Sequence, residues 1–243
     1  MKPYFSLIIC TYMRPKALCD LLQSVSEQTL YPNEILIIDG STNHHTKQQL
    51  DRYNFKHLNY FLVDATERGL TRQRNFGINK VNPKSEVVCF LDDDTILEPH
   101  YFEELISTYI KHPDALGIGG YITNEVAWKQ SDKANNPNNF YYDGFIRSEP
   151  SRSISFLPPS GNIYEVEQLM GGVSSFKKAV FNFQKFSTYF DGYGLYEDAD
   201  FTLRLSKKGK LFVNTNAKLA HYHDVSGRPN QFKYGKMVLR NGW

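Results

Sequence analysis

Apolar residues recur along the first 120 residues in two alternating rhythms. The runs "YFSLIIC" (4–10), "EILIID" (34–39), "NYFLV" (59–63), "EVVCFL" (86–91) and "LGIGGYI" (116–122) are apolar at nearly every position. Such runs predict strands of a sheet covered on both faces. Helical spacing fills the gaps. After Pro15, a residue suited to a first turn, Leu18, Leu21, Leu22 and Val25 recur at i, i+3, i+4 and i+7. "TKQQLDRY" (46–53) reads as a polar helix and "GLTRQRNFGINKV" (69–81) as another; Pro99 opens a helix striped by Phe102, Leu105, Ile106, Tyr109 and Ile110. Strands alternating with helices predict parallel pairing through right-handed crossovers. Ligands of such sheets bind beyond the carboxyl ends of the strands. That rule gathers the loops Thr11–Arg14, Asp39–Thr42, Asp64–Gly69 and Asp92–Thr95, three of which begin with Asp.

The rhythm lapses between Thr123 and Gln168, where "SDKANNPNNF" and "FLPPSGN" predict a lid, a binding loop or a disordered stretch. Trp128, Tyr141 and Tyr142 within it either stack on a ligand or pack in a core or lid. A helix is expected near Phe176–Phe181. Another is expected over "EDADFTLRLSKKG" (197–209), with Phe201, Leu203 and Leu205 on its apolar side. Strands follow at "KLFVN" (210–214) and "KLAHYH" (218–223).

Composition alters this picture in three ways. The net charge of +2 argues against a general nucleic-acid binder. From Arg204 to Trp243, nine Lys and Arg face one acid, leaving 19 basic and 25 acidic residues before them. This basic tail is either a solvated surface or an attraction to anionic lipid or a phosphorylated ligand. Cys10, Cys19 and Cys89 are odd in number and lack metal-type spacing, which fits core packing in a reducing cytosol. No run approaches the ~18 apolar residues of a membrane span, and the N-terminus is unlike a signal peptide. A cytoplasmic protein is expected, either soluble or peripheral at the inner face of a membrane.

The chemistry concentrates at "FLDDDT" (90–95). Alternate side chains of an extended chain share a side, so Asp92 and Asp94 point together while Asp93 points away. Two convergent carboxylates suit Mg²⁺ or Mn²⁺, hard cations that also take substrate phosphates. The competing reading is an acidic turn before the next helix. "YEDAD" (196–200) adds Glu197, Asp198 and Asp200 at a helix start, where a general base or mere first-turn acids would both fit.

"SLIICTYMRP", "EILIIDGST", "RGLTRQRNFGI" and "FLDDD", followed by "LMGGVSSFKKAVF", "FDGYGLYEDADFTLRLSKKGK" and "AKLAHYHDVSG", closely resemble family 2 glycosyltransferases of GT-A fold. The resemblance covers nearly the whole chain, in order. It implies a mostly parallel, Rossmann-like α/β sheet flanked by helices. Residues 1–122 would form the nucleotide-sugar-binding half and residues 123–243 the acceptor-binding, catalytic half of one domain. It implies an inverting, Mn²⁺- or Mg²⁺-dependent transfer from a nucleoside-diphosphate sugar, UDP or dTDP, to a saccharide or lipid-linked acceptor in surface polysaccharide synthesis. Thr11, Tyr12 and Arg14 correspond to the loop lining the nucleotide pocket, and Asp39 to the acid that reads base or ribose. Many relatives have two acids where this chain has one before Gly40. Arg74 and Asn75 match the family's "RN" bordering the nucleotide. Asp92 or Asp93 would hold the ribose hydroxyls, with Asp94, Asp92 and His221 as metal ligands. His223, on the same side, is the alternative histidine. Asp198 would be the base, Glu197 would bind acceptor or orient Asp198, and Gly172 with Gly171 would form a turn under the sugar or a simple strand-end bend. A nucleotidyltransferase acting on sugar phosphates and a catalytically inactive nucleotide-sugar-binding protein are the alternatives. "CTYMRPKA" lacks the Gly-rich loop expected of the first, and the intact acid and histidine set argues against the second.

Overall fold

A computed structural model describes residues 2–124, 160–222 and 229–241. The alternating first half forms β1 (Phe5–Thr11), α1 (Pro15–Ser26), β2 (Glu34–Asp39), α2 (His45–Leu50), β3 (Leu58–Leu62), α3 (Leu70–Lys80) and β4 (Val87–Asp92). Then follow β5 (Thr95–Leu97), α4 (Tyr101–Lys111), β6 (Ala115–Ile122), β7 (Ile163–Val166), β8 (Val173–Lys177) and a 3-10 helix over Lys178–Asn182. The described chain closes with α5 (Glu197–Ser206), β9 (Lys210–His221) and α6 (Gln231–Asn241). Trp128, Tyr141, Tyr142 and His223 lie outside the described residues.

One mixed sheet runs in the order β3-β2-β1-β4-β8-β6-β9-β5, with β7 also paired to β9. β3, β2, β1 and β4 are mutually parallel, and their register sets Thr11 beside Asp39 and Cys10 beside Asp92. The carboxyl ends therefore finish level along one edge of the sheet. Strand alternation sorts the apolar runs between two cores. Leu7, Ile9, Ile35, Ile37, Cys89 and Leu91 face α1 and α4, whereas Ile8, Leu36, Ile38, Val88 and Phe90 face α3 and α5. Two-sided burial explains why these strands carry almost no polar residues.

Three elements depart from the sequence pattern. The stretch expected as a helix near Phe176–Phe181 is strand β8 as far as Lys177, wedged antiparallel between β4 and β6, and only then a 3-10 turn. The pairing groups of two neighbouring strands outweigh the local pattern, since a buried strand must fill that gap. The two expected strands at 210–214 and 218–223 are one strand, β9. Its polar "NTNA" is absorbed at a register shift, where β6 advances from Gly119 to Tyr121 while β9 advances from Val213 to Lys218. Asn214 Nδ2 donates there to Thr108 Oγ1 at 2.9 Å. α5 stops at Ser206, with Phe201, Thr202 and Leu205 buried and Leu203 only partly so.

The second core centres on stacked aromatic rings. Phe201 lies 4.3 Å from Phe186 and 4.9 Å from Phe176, centroid to centroid. Phe201→Ala is expected to lower unfolding free energy by about 3–5 kcal/mol, because the rings around the void belong to three different elements and cannot collapse together. Urea denaturation followed by far-UV circular dichroism measures it, and a loss under about 1 kcal/mol would show that the cluster repacks.

Candidate active site

β4 ends at Asp92, and the chain turns through Asp93 and Asp94 into the short strand β5. β5 pairs antiparallel with the end of β9, placing Thr95 opposite His221. Tyr222 N–H donates to the Asp94 carbonyl at 3.0 Å, and Thr95 Oγ1 donates to the Asp92 carbonyl at 2.8 Å. These ties bring His221 Nε2 to 2.9 Å from Asp94 Oδ1 and 3.9 Å from Asp92 Oδ2. One ligand atom from each of Asp92, Asp94 and His221 lies within 4.8 Å of the others. Two carboxylates and an imidazole form an oxygen–nitrogen donor set suited to Mn²⁺ and compatible with Mg²⁺. The residues present therefore fit a divalent cation.

Asp93 turns the other way. It accepts from Thr11 Oγ1 at 2.6 Å and from the Arg14 guanidinium at 3.0 Å, and the same Arg14 nitrogen reaches Asp94 at 3.3 Å. Burial pushes the Asp93 carboxyl up to about 7, against the opposing pull of Arg14 and Thr11.

The facing wall comes from α3 and α5. Arg74 lies over Phe186 and Phe90, 5.2 and 5.7 Å from the ring centroids, and pairs closely with Glu197. It also reaches Asp92 at 3.5 Å. Burial alone would lower the pKa of Arg74, but the Glu197 and Asp92 carboxylates outweigh it and hold it above its ordinary value. Burial pushes the Glu197 carboxyl up to about 8, with Arg74 opposing and Asp198 repelling. α5 starts abruptly: Tyr196 adopts φ 71°, a left-handed turn that sets Glu197 and Asp198 at the helix start. Asp198 Oδ2 accepts the Gly171 N–H at 3.0 Å, and Oδ1 accepts the Ala199 N–H at 2.8 Å. Next in sequence, the Gly172 carbonyl accepts the Asp92 N–H at 3.0 Å. A Cβ at Gly171 would lie 2.5 Å from Glu197 Oε1, and one at Gly172 would collide with the Asp92 carboxylate. A side chain at either position fits only if these charged groups shift.

Asp92, Asp93, Asp94, Arg74, Glu197, Asp198 and His221 line one cleft of about 990 Å³, together with Thr11, Tyr12, Arg14 and Gly172. Two residues expected at the nucleotide, Asp39 and Asn75, are not among those lining the cleft. Asp39 is fully buried, with its oxygens taking the Ser41 N–H and the Tyr60 hydroxyl, each at 2.8 Å. Asn75 exchanges two hydrogen bonds with the Phe186 backbone, at 2.8 and 3.1 Å. Neither lines the cleft.

A family model for glycosyl transferase family 2 matches residues 6–170. The chain belongs to glycosyl transferase family 2. The chain is 29% identical over 140 residues to the glucosyl-dolichyl phosphate glucuronosyltransferase of Haloferax volcanii, covering 56% of this chain and 43% of the relative. It is 27% identical over 164 residues to the UDP-Gal:alpha-D-GlcNAc-diphosphoundecaprenol beta-1,3-galactosyltransferase of Escherichia coli, covering 66% and 54%. The chain spans about half the length of these curated relatives. Among solved structures, GalNAc-T7 with UDP, GalNAc and Mn2+ superposes with TM-score 0.68 at 17% identity, over 98% of this chain and 47% of that one. S. aureus TarS superposes with TM-score 0.60 at 18% identity, over 88% and 35%. The sheet and its flanking helices are those of the GT-A glycosyltransferase fold.

Sequence reading overlooked several cleft residues, among them Arg68, Gln73, Tyr193 and Lys233. Gln73 donates to the carbonyls of Thr11 (3.1 Å) and Ile38 (2.7 Å), clamping β1 to β2. Its signal was its place one residue before Arg74 in "TRQRN". Lys233 was counted in the basic tail, but nothing in the pattern placed it near the site.

Arg74→Met leaves Glu197 buried without its cation and is expected to lower stability by about 3–5 kcal/mol. The double change Arg74→Met with Glu197→Met is expected to recover most of that loss. Chemical denaturation of the three proteins measures it, and equal stability of the single variant and the original chain would remove the pair from the stability of the fold.

Proposed function

We propose that the chain is an inverting transferase that moves a sugar from a nucleoside-diphosphate sugar, UDP-linked in the first instance and dTDP-linked as second choice, to a hydroxyl of a saccharide or lipid-linked acceptor. One observation carries the reading: Gly171 and Gly172, consecutive residues, hold Asp198 and the Asp92–Asp94–His221 cluster in a single cleft. Residues 1–122 act as the donor half and residues 123–243 as the acceptor half.

A Mn²⁺ or Mg²⁺ held by Asp92, Asp94 and His221 would supply positive charge to a departing diphosphate. The other roles fall to side chains. Asp198, its two oxygens each oriented by one backbone N–H, accepts the proton of the acceptor hydroxyl. The acceptor oxygen forms its bond to the anomeric carbon as the bond from that carbon to the diphosphate oxygen breaks, and the electron pair leaves with the nucleotide. Thr11, Tyr12 and Arg14 lie on the nucleotide side, with Arg14 holding Asp93 and Asp94 in place. Arg74 keeps Asp92 and Glu197 apart from each other's charge.

The names of the two curated relatives include a dolichyl phosphate and a diphosphoundecaprenol. Those names support a lipid-linked acceptor here, and with it a role in surface polysaccharide synthesis at a membrane face. No described helix is long and apolar enough to cross a membrane.

Asp198→Asn is expected to abolish sugar transfer, by about 10²–10⁴-fold, with UDP affinity near that of the unaltered chain. Transfer assays alongside calorimetry separate the two, and parallel loss of both would refute a role confined to proton transfer. Asp94→Ala is expected to make UDP binding independent of Mn²⁺, read by titrating UDP with and without the cation. Retained Mn²⁺ dependence would take Asp94 out of the cation site.

A further inference from the structure

A second, smaller cavity of about 300 Å³ lies against α6, lined by Asp191, Lys233, Lys236 and Arg240 among others. It shares Gly192, Tyr193, Pro229 and Lys233 with the large cleft, so the two adjoin. α6 rests on the segment that leads into α5. Asn241 Nδ2 donates to the Leu195 carbonyl at 2.9 Å, the Tyr189 hydroxyl donates to the Arg240 carbonyl at 3.0 Å, and Tyr234 meets Tyr193 edge-on.

Helical spacing of about 100° per residue divides the rest of α6. Lys233, Lys236 and Arg240, at i, i+3 and i+7, share one face. Phe232 and Leu239, seven apart, form a neighbouring stripe, and they are 73% and 68% exposed. Three cations thus border the small cavity against one acid, Asp191, whose Oδ1 accepts the Gly192 N–H. An exposed apolar pair runs beside them, with the Lys236 ammonium 4.7 Å from the centroid of the Phe232 ring. Cations around a cavity that adjoins the cleft, one of them lining both, next to an exposed apolar stripe, match an amphiphile whose anionic group adjoins a sugar.

The geometry points to α6 as the docking site for the diphosphate of a lipid-linked acceptor. Lys233, Lys236 and Arg240 grip the diphosphate, Phe232 and Leu239 lie along the first hydrocarbon units, and the acceptor sugar reaches into the large cleft toward Asp198. This rests on the glycosyl-transfer reading and names the acceptor class for it.

Farnesyl diphosphate, inorganic diphosphate and farnesol are titrated by calorimetry into the full chain saturated with UDP and Mn²⁺, and into the double variant Lys236→Glu/Arg240→Glu. Farnesyl diphosphate is expected to bind the unaltered chain more tightly than either fragment. The variant is expected to lose about tenfold or more of that affinity, the equivalent of one charge-assisted contact, while keeping its UDP–Mn²⁺ affinity and its melting temperature. Equal farnesyl diphosphate binding by chain and variant would overturn the proposal, as would inorganic diphosphate binding as tightly as the farnesyl ester. Sedimentation with phosphatidylglycerol vesicles without farnesyl diphosphate binding would overturn it in favour of a general membrane surface. Failure to bind UDP with Mn²⁺ at all would instead refute the transfer reading beneath it.

Discussion

Three neighbouring carboxylates at the end of β4 repel one another, and much of the architecture around the cleft supplies each with a different polar or charged partner. Arg14, from the loop before α1, takes Asp93 and touches Asp94. Arg74, from α3, takes Asp92. His221, from the far end of β9, sits against Asp94. Buried charge without a partner carries a heavy penalty, so the entry to α1, the seating of α3 and the register of β9 are bound to the acids at one strand end. Alternation does the sorting. It sends Asp93 toward an arginine and a threonine, and leaves Asp92 and Asp94 converging where a cation fits.

The second constraint is closeness. Gly171 and Gly172 lie where a side chain fits only if Glu197, Arg74 and Asp92 shift. Their backbone groups hold Asp198 on one side and Asp92 on the other. Donor and acceptor sides are also stitched together at the loop before α3. Leu70 N–H donates to the Gly192 carbonyl at 2.9 Å, and the Thr71 hydroxyl donates to the Phe190 carbonyl at 3.1 Å. Movement of the segment leading into α5 is therefore coupled to the base of α3, which carries Arg74.

Arg74 unites the two constraints. Phe186 and Phe90 lie beneath its guanidinium, while Glu197 and Asp92 take its charge. The aromatic core and the polar cleft meet at this side chain, whose guanidinium lies over Phe186 as Phe186 stacks on Phe201. Support of this kind is what keeps reacting groups in register.

Sequence alone was enough to determine the parallel β1–β4 half, because two-sided burial writes itself as unbroken apolar runs. It also marked the acidic strand end, because three adjacent aspartates after a buried strand stand out from the pattern, whether as a cation site or as an acidic turn. Asp198 and His221 were legible through the order of their motifs, not through any local physical signal. Only the tertiary structure decided that β8 is a strand, since its neighbours' unpaired backbone groups, remote in sequence, demand one. The polarity of Asp39 and Asn75 reads alike whether they face a ligand or brace a loop, and only the tertiary structure shows their partners, 21 and 111 residues away. Short β5 brings His221 to Asp94 for the same reason: pairing between distant segments leaves no periodic trace in either one.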